Sequence, residues 1–281
     1  MIRPPFRFLI LISLTLTVCL GVQLPISAQE TTSGHPPASN PDSPVPQTQP
    51  LLDRTINRDI SIYKLPKNIL QDQVTVFSFP KKLAKGEHWW PTIGITGVTA
   101  GFIASDPYSA PAFRNTTDFH GFNNVMNTVN TAAFIAAVPA AIYAVGFVRN
   151  DSYAKDTALL AGEAVADGFI LSLPFKAITA RRVPSSYFGD GPYSDSFFQG
   201  SHNPVKSGGF YSVHAMAAMS VATIISRRYR NHKWVPFVAY GVAGAICFSR
   251  VTRSDHFPAD VFFGGAMGYV IARYAVLTAR E

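Results

Sequence analysis

Six apolar runs separated by polar breaks occupy the chain from residue 91 onward: 91–104, 125–148, 157–175, 210–225, 235–248 and 260–277. Several reach or approach the roughly 20 residues that a helix needs to cross a bilayer. They are rich in Ala, Gly, Ser and Thr, which let helices approach one another closely. Glu163 and Asp167 in the third run and Arg273 in the last must face partners or water. No repeat of fixed period is evident. The pattern predicts an all-α fold over residues 89–281, a helical bundle of about six core helices embedded in a membrane.

The first 88 residues read differently. Arg3 and Arg7 precede an apolar stretch at 8–20, and Ser27-Ala28 offers a small-residue cleavage site, so residues 1–28 are expected to be a signal peptide. Residues 29–50, rich in Pro, Ser, Thr and Gln, have the composition of a disordered linker. Residues 51–88 form a mixed N-terminal segment. Within it, 74–79 followed by Pro80-Lys81-Lys82 suits a short helix on a membrane surface, and Trp89-Trp90-Pro91 resembles an interfacial belt.

Charge and cysteine content narrow the possibilities. The net charge is +7, and two of those charges, Arg3 and Arg7, leave with the leader. What remains is spread out, apart from Arg227, Arg228, Arg230 and Lys233, and gives no nucleic-acid signature. The two cysteines, Cys19 and Cys247, lie on either side of the expected cleavage, so no disulfide framework remains after processing. The basic loop at 227–233 belongs in the cytoplasm by the positive-inside tendency, which places the loops before residue 210 and after residue 248 outside. A secreted N-terminus followed by six crossings would put those loops inside. Five spans, with 91–104 as a re-entrant or interfacial segment, reconcile the two signals.

Candidate chemistry gathers at three run boundaries. In residues 247–260 an apolar run ends at Phe248, Ser249 and Arg250 follow, and His256 and Asp260 flank Pro258. Proline suits the first position of a helix. Asp260 would then stand in the first turn, able to hold one imidazole nitrogen of His256 and leave the other free to attack. Arg250 offers a planar fork of donors suited to phosphate. Four fixed residues at this spacing would match a chain of this length by chance on the order of once in a thousand. The second boundary is Gly208-Gly209-Phe210-Tyr211-Ser212-Val213-His214, where a helix start offers N–H groups to an anion, Ser212 adds a hydroxyl, and His214 could protonate a leaving oxygen. At the third, Lys176, Arg181 and Arg182 place three cations within seven residues, a possible phosphoryl clamp. His35, His88, His120, His202 and His232 lie in polar breaks or near run ends and read as solvated. Metal-ligand spacing such as His-x3-His is absent.

Lys/Arg, then Ser-x-His, then Ser-Arg-x5-His-x3-Asp, each at a helix boundary and in this order, resembles the type 2 phosphatidic acid phosphatase superfamily, which includes bacterial acid phosphatases, lipid phosphate phosphatases and vanadium haloperoxidases. The superfamily's motifs are Lys-x6-Arg-Pro, Pro-Ser-Gly-His and Ser-Arg-x5-His-x3-Asp, and the third is matched in full. The resemblance implies that His256 is a nucleophile forming a phosphohistidine, that Asp260 orients it, and that His214 is the general acid. It implies phosphate binding by Lys176, Ser212, Arg250, the Val213 backbone and one of Arg181 and Arg182. No cofactor and no metal are expected, since cations supply the charge stabilisation.

The chain departs from the motifs at Val183, where the superfamily has Arg, and at Tyr211 and Val213, where it has Pro and Gly. The reading that follows is a metal-independent phosphohydrolase at a bacterial-type inner membrane with its site facing the periplasm. Its substrate would be a phosphatidate-like lipid or a prenyl pyrophosphate. Two other readings stay open: a soluble periplasmic acid phosphatase for small phosphate esters, and a non-catalytic protein that binds anionic lipids.

Overall fold

The computed structural model describes residues 59–278, save 190, 204 and 206–208. The expected signal peptide at 1–28, the linker at 29–50, the first residues of the 51–88 segment and Gly208 lie outside the described residues. Those described are helical and connected by loops, with no strand among them. In chain order the helices are α1 (Leu65–Phe77), α2 (Phe79–Ala84), α3 (Trp89–Arg114), α4 (His120–Val125), α5 (Thr128–Val148), α6 (Ser152–Thr179), α7 (Val213–Arg228), α8 (Trp234–Thr252) and α9 (Pro258–Val270), the last running on into a π-helical turn, Ile271–Val276.

Capping residues set several of these starts. Asn127, Asp151 and Ser212 each stand in extended conformation before α5, α6 and α7, and each side chain accepts from a backbone N–H three residues on. Such a cap contributes about 1 kcal/mol. The turn between α5 and α6 is tight: a Cβ on Gly146 would come within 2.9 Å of Ala154 Cβ.

The centre of the bundle is α7. Its partners α6, α8 and α9 pack around it, with Leu160, Leu171, Val221, Ile224, Ile271 and Val276 in one apolar cluster. Close approach of α9 depends on small residues. A Cβ at Gly264 would lie 2.5 Å from the Ser212 carbonyl, and one at Gly268 would lie 2.2 Å from that of Met216. The first turn of α9 is thereby held against the first turn of α7, where the second and third motifs meet.

Among the described residues three helices, α5, α6 and α8, are long and apolar enough to cross a membrane. Outward faces carry Val129, Phe134, Phe147, Phe237 and Val242 exposed, a composition that suits lipid rather than water. The stretch at 91–104, expected as a re-entrant or interfacial segment, belongs to the 26-residue helix α3, which continues through Pro107 and Pro111 and is not among the helices long and apolar enough to cross a membrane. From residue 88 to 106 the chain runs antiparallel to α9: His88 lies beside Tyr274, Phe102 beside Phe262, and Asp106 beside the start of α9. Trp89 and Trp90 are exposed, as an interfacial belt requires. The stretch at 74–79 does not form one surface helix but joins α1 to α2 at Ser78.

Candidate active site

Helix ends converge at one end of the bundle. The last turn of α6 carries Lys176, which is partly buried and close enough to Asp260 for their charges to interact. Ala180 then adopts left-handed geometry (φ 37°) and ends the helix. That turn sends Arg181 inward and leaves Arg182 at the surface. Arg182 bonds the Ser186 carbonyl at 2.7 Å and stacks on Tyr187.

Arg181 is only 2% exposed. Its Nη1 donates to Asp260 Oδ1 at 2.5 Å, its Nη2 to Asp106 Oδ2 at 2.6 Å and its Nε to Ser196 Oγ at 3.0 Å. The rings of Phe197 and Phe257 lie 4.4 and 4.3 Å from its central carbon. Three of the five N–H donors of Arg181 thus go to two carboxylates and a hydroxyl.

The third motif forms as its spacing predicts. Pro258 opens α9, Asp260 stands in the first turn, and Asp260 Oδ2 accepts the Phe257 N–H at 3.0 Å. His256 Nδ1 lies 3.6 Å from Asp260 Oδ2, just beyond hydrogen-bond reach. Such contacts in ligand-free sites commonly tighten when the reacting group arrives. Burial would raise the Asp260 carboxyl, but Arg181, His256 and the Phe257 N–H outweigh it and hold it below the ordinary carboxylate range. Asp260 is therefore a carboxylate at neutral pH.

Arg250 sits in the last turn of α8 with no exposure to solvent. Its Nη2 donates to Thr131 Oγ1 at 2.9 Å and to the Met126 carbonyl, its Nε to Ser249 Oγ at 3.1 Å, and its Nη1 to Asp255 Oδ2 at 3.2 Å. Asp255 also accepts from Arg253 Nε at 3.0 Å. An anion reaching Arg250 would meet the Asp255 carboxylate beside it.

Ser212 is the buried N-cap of α7. Its Oγ accepts the Ala215 N–H at 3.4 Å and its own N–H donates to the Asp260 carbonyl at 3.1 Å. Val213 and His214 follow in the first turn. Helix α7 is not among the three helices long and apolar enough to cross a membrane, and His214 stands at its site end. Burial, then the charges of Arg250 and His256, lower His214 to about 4. A histidine so placed is neutral in the empty site at pH 7. An anion beside it would favour the imidazolium form.

The motifs therefore bring together Lys176, Ser212, Val213, His214, Arg250, His256 and Asp260, and they set Arg181 behind Asp260. Four contributors escaped the reading of the sequence. Met126 and Thr131 carry no local motif. Asp255 lies inside one without being part of it. Asp106 offered a signal: an acid in an apolar stretch is costly and commonly functional, yet Pro107 beside it suggests the end of a run rather than the interior of a helix. Burial raises Asp106 to about 7 against the pull of Arg181, with the Asp260 charge adding to the rise.

A separate group of acids, Asp72 of α1 with Glu163 and Asp167 of α6, is buried with its oxygens within 4.8 Å of one another. Gln73 donates to Asp167 there at 2.9 Å. Oxygen donors of this kind suit a hard cation. They lie at least two turns along α6 from Lys176 and take no part in the histidine site.

Residues 157–281 match the family described as the PAP2 superfamily. No curated protein and no solved structure matches the chain. The PAP2 segment begins inside α6, so it contains every motif residue from Lys176 to Asp260. Asp106, Met126 and Thr131 come from outside it. The match supports phosphatase chemistry in general.

Proposed function

We propose that the protein hydrolyses the phosphate monoester or pyrophosphate of a lipid through a phosphohistidine, without a metal. His256 Nε2 attacks phosphorus as the bond to the leaving oxygen breaks, and His214 donates the proton that this oxygen needs. Water then attacks the phosphohistidine with His214 as base, releasing phosphate and free His256. Arg250, Lys176, Ser212 and the Val213 N–H stabilise the charge on the phosphoryl oxygens. Arg181 serves Asp260, which holds His256 Nδ1.

The observation that carries the lipid reading is an apolar cavity of about 630 Å³ between α5, α7 and α8. Met126, Ile135, Val138, Val221, Val242 and Ile246 are among its walls. Met126 both lines the cavity and gives its carbonyl to Arg250, so the apolar space begins beside the phosphoryl cradle. Its α5 wall runs from Phe134 to Ile142, about 12 Å at 1.5 Å per residue, and Met126 extends the apolar lining beyond the start of that helix. The opposite end of the bundle carries Lys81, Lys82, Lys85, Arg149, Arg230 and Lys233. The positive-inside tendency makes that end cytoplasmic and turns the site outward, toward the periplasm of a bacterial-type inner membrane.

The test is phosphate release by detergent-purified protein in EDTA, on phosphatidate, a prenyl pyrophosphate and an aryl phosphate, with His256→Ala as the blank. Turnover of a lipid substrate well above that blank is expected. Cleavage of the aryl phosphate alone would favour an acid phosphatase for small esters. No release from any substrate would leave a lipid-binding protein whose chemistry was lost with the changes at Val183, Tyr211 and Val213.

A further inference from the structure

Behind the expected nucleophile, one guanidinium is shared by two carboxylates. Arg181 bonds Asp260 through Nη1 and Asp106 through Nη2. Asp106 also accepts the Ala259 N–H at 3.3 Å, which ties α3 to the first turn of α9. All three side chains are nearly or wholly buried, so their mutual charges act at low dielectric, where each counts for more than at a surface. Arg181 alone would neutralise Asp260 in a closed pair and leave little charge for the imidazole on the other carboxylate oxygen. A second carboxylate changes that balance: once Asp106 is ionised, the cluster of Asp106, Arg181 and Asp260 carries one net negative charge.

We propose that Asp106 is a positioning residue whose charge balances Arg181 and so leaves the charge of Asp260 to His256. The proposal rests on the phosphohistidine reading for its catalytic consequence, though not for its structural test. Its physical content is specific. A phosphohistidine carries positive charge on the imidazole, and a full carboxylate at Nδ1 stabilises it. A carboxylate already neutralised by an arginine does so weakly. The other charged groups nearby are few. Lys176 faces Asp260 from the end of α6. His214 faces His256 from α7, and Arg250 and Asp255 face this histidine pair from the end of α8. Each belongs to the PAP2 segment. Asp106 does not, and it is the balancing charge that α3 brings in from outside. A purely structural ion pair would not need it, since Arg181 already has Asp260, Ser196 and two rings.

The readout is the Nδ1 proton of His256 in protein labelled with nitrogen-15 histidine, in detergent with inorganic phosphate present, assigned by its loss in His256→Ala. A charge-assisted hydrogen bond to Asp260 moves this proton downfield. In wild type the signal should move further downfield as pH rises through about 7, where Asp106 ionises. In D106N it should lie upfield and lose that dependence. In D106N/R181Q, which removes both charges and leaves Asp260 its own, it should return to the wild-type position. An unchanged signal in D106N, or one still further upfield in the double variant, would overturn the proposal.

If D106N does not fold, the double variant decides alone, because it removes a buried pair together rather than stranding one charge. The wild-type position supports the proposal and an upfield position overturns it. In turnover, D106N should lower kcat on the order of tenfold with KM within about twofold, and the double variant should recover part of the loss. Should wild type release no more phosphate than His256→Ala, the hydrolase reading fails, while the proton signal still decides the role of Asp106.

Discussion

Helices α5 and α7 look alike as apolar runs, yet they occupy opposite surroundings. Of the 21 residues of α5, only Thr131 and Gly146 are buried, whereas α7 buries most of its length, including Ser220, Thr223, Ser226 and Arg228. The difference lies in what packs against each helix. The neighbours of α7 bring Gly168, Gly264 and Gly268 against it, whereas α5 presents Val129, Phe134, Val145 and Phe147 outward. In a membrane, apolar surface alone drives no helix inward, because lipid is as apolar as the core. Close packing and polar contacts decide the inside. The apolar pattern locates both helices, and the glycines of α6 and α9 tell which one is central.

The contrast breaks first where α9 rests on α7. Gly268→Ala would set a Cβ 2.2 Å from the Met216 carbonyl. Backbone cannot retreat as a flexible side chain can, so the change should cost about 3 kcal/mol or more. A thermal melt in detergent should show it as a large loss, alongside a decline in any activity that depends on Ser212 and Asp260 sharing a wall. Val129→Ala on the outer face of α5, at a residue 76% exposed, should leave the melt within error. Equal sensitivity at the two sites would mean that α5 is buried by a partner and that its lipid-facing reading is wrong.

A second test sharpens the division of labour between the two histidines. His214→Asn should lower turnover of an alkyl phosphate on the order of 100-fold, and that of an aryl phosphate, whose oxygen leaves with little help, only a few-fold. Its pH dependence has a definite sign. His214 is lowered to about 4 in the empty site, and a bound dianion raises it, so the alkyl rate should fall as rising pH removes the proton. The variant should lack that descending limb. Equal losses on both leaving groups would remove the general-acid assignment and leave His256 untouched.

These outcomes also explain what the sequence could reveal. The spacing of His256 and Asp260 around Pro258 was legible because proline at the first position of a helix fixes where the residue two further on will stand. The helix boundaries near Lys176, Ser212 and Arg250 were legible for similar local reasons. The choice between Arg181 and Arg182 was not. It turns on the left-handed backbone at Ala180, a conformation that no residue type there announces, and on the carboxylate of Asp106 75 positions earlier. The passage of α3 through Pro107 and Pro111 was hidden for a related reason. Proline ordinarily ends a helix, and here the helix past it is held by distant partners, with Ala110 in a cluster with Tyr187, Phe113 against Phe248, and Arg114 donating to the Pro184 and Tyr187 carbonyls.

The smallest effect expected is the most direct test of whether α5 is more than a wall. Thr131 is fully buried, accepts from Arg250 Nη2 at 2.9 Å, and donates to the Met126 carbonyl at 3.1 Å. Thr131→Val keeps the shape and removes both bonds. Arg250 would keep Ser249, Asp255 and the Met126 carbonyl, so the guanidinium should stay in place with one donor less satisfied. A hydrogen bond to a charged group is worth about 1.5–3 kcal/mol, and the remaining partners offset part of that. Stability should therefore fall by about 1 kcal/mol, and the inhibition constant for inorganic phosphate should rise a few-fold, while Thr131→Ser restores both. If Val at 131 weakens phosphate binding without touching the melt, α5 acts on the cradle through the direction of the Arg250 fork. If it shifts the melt alone, α5 supports the bundle and the cradle is made by the PAP2 segment without it.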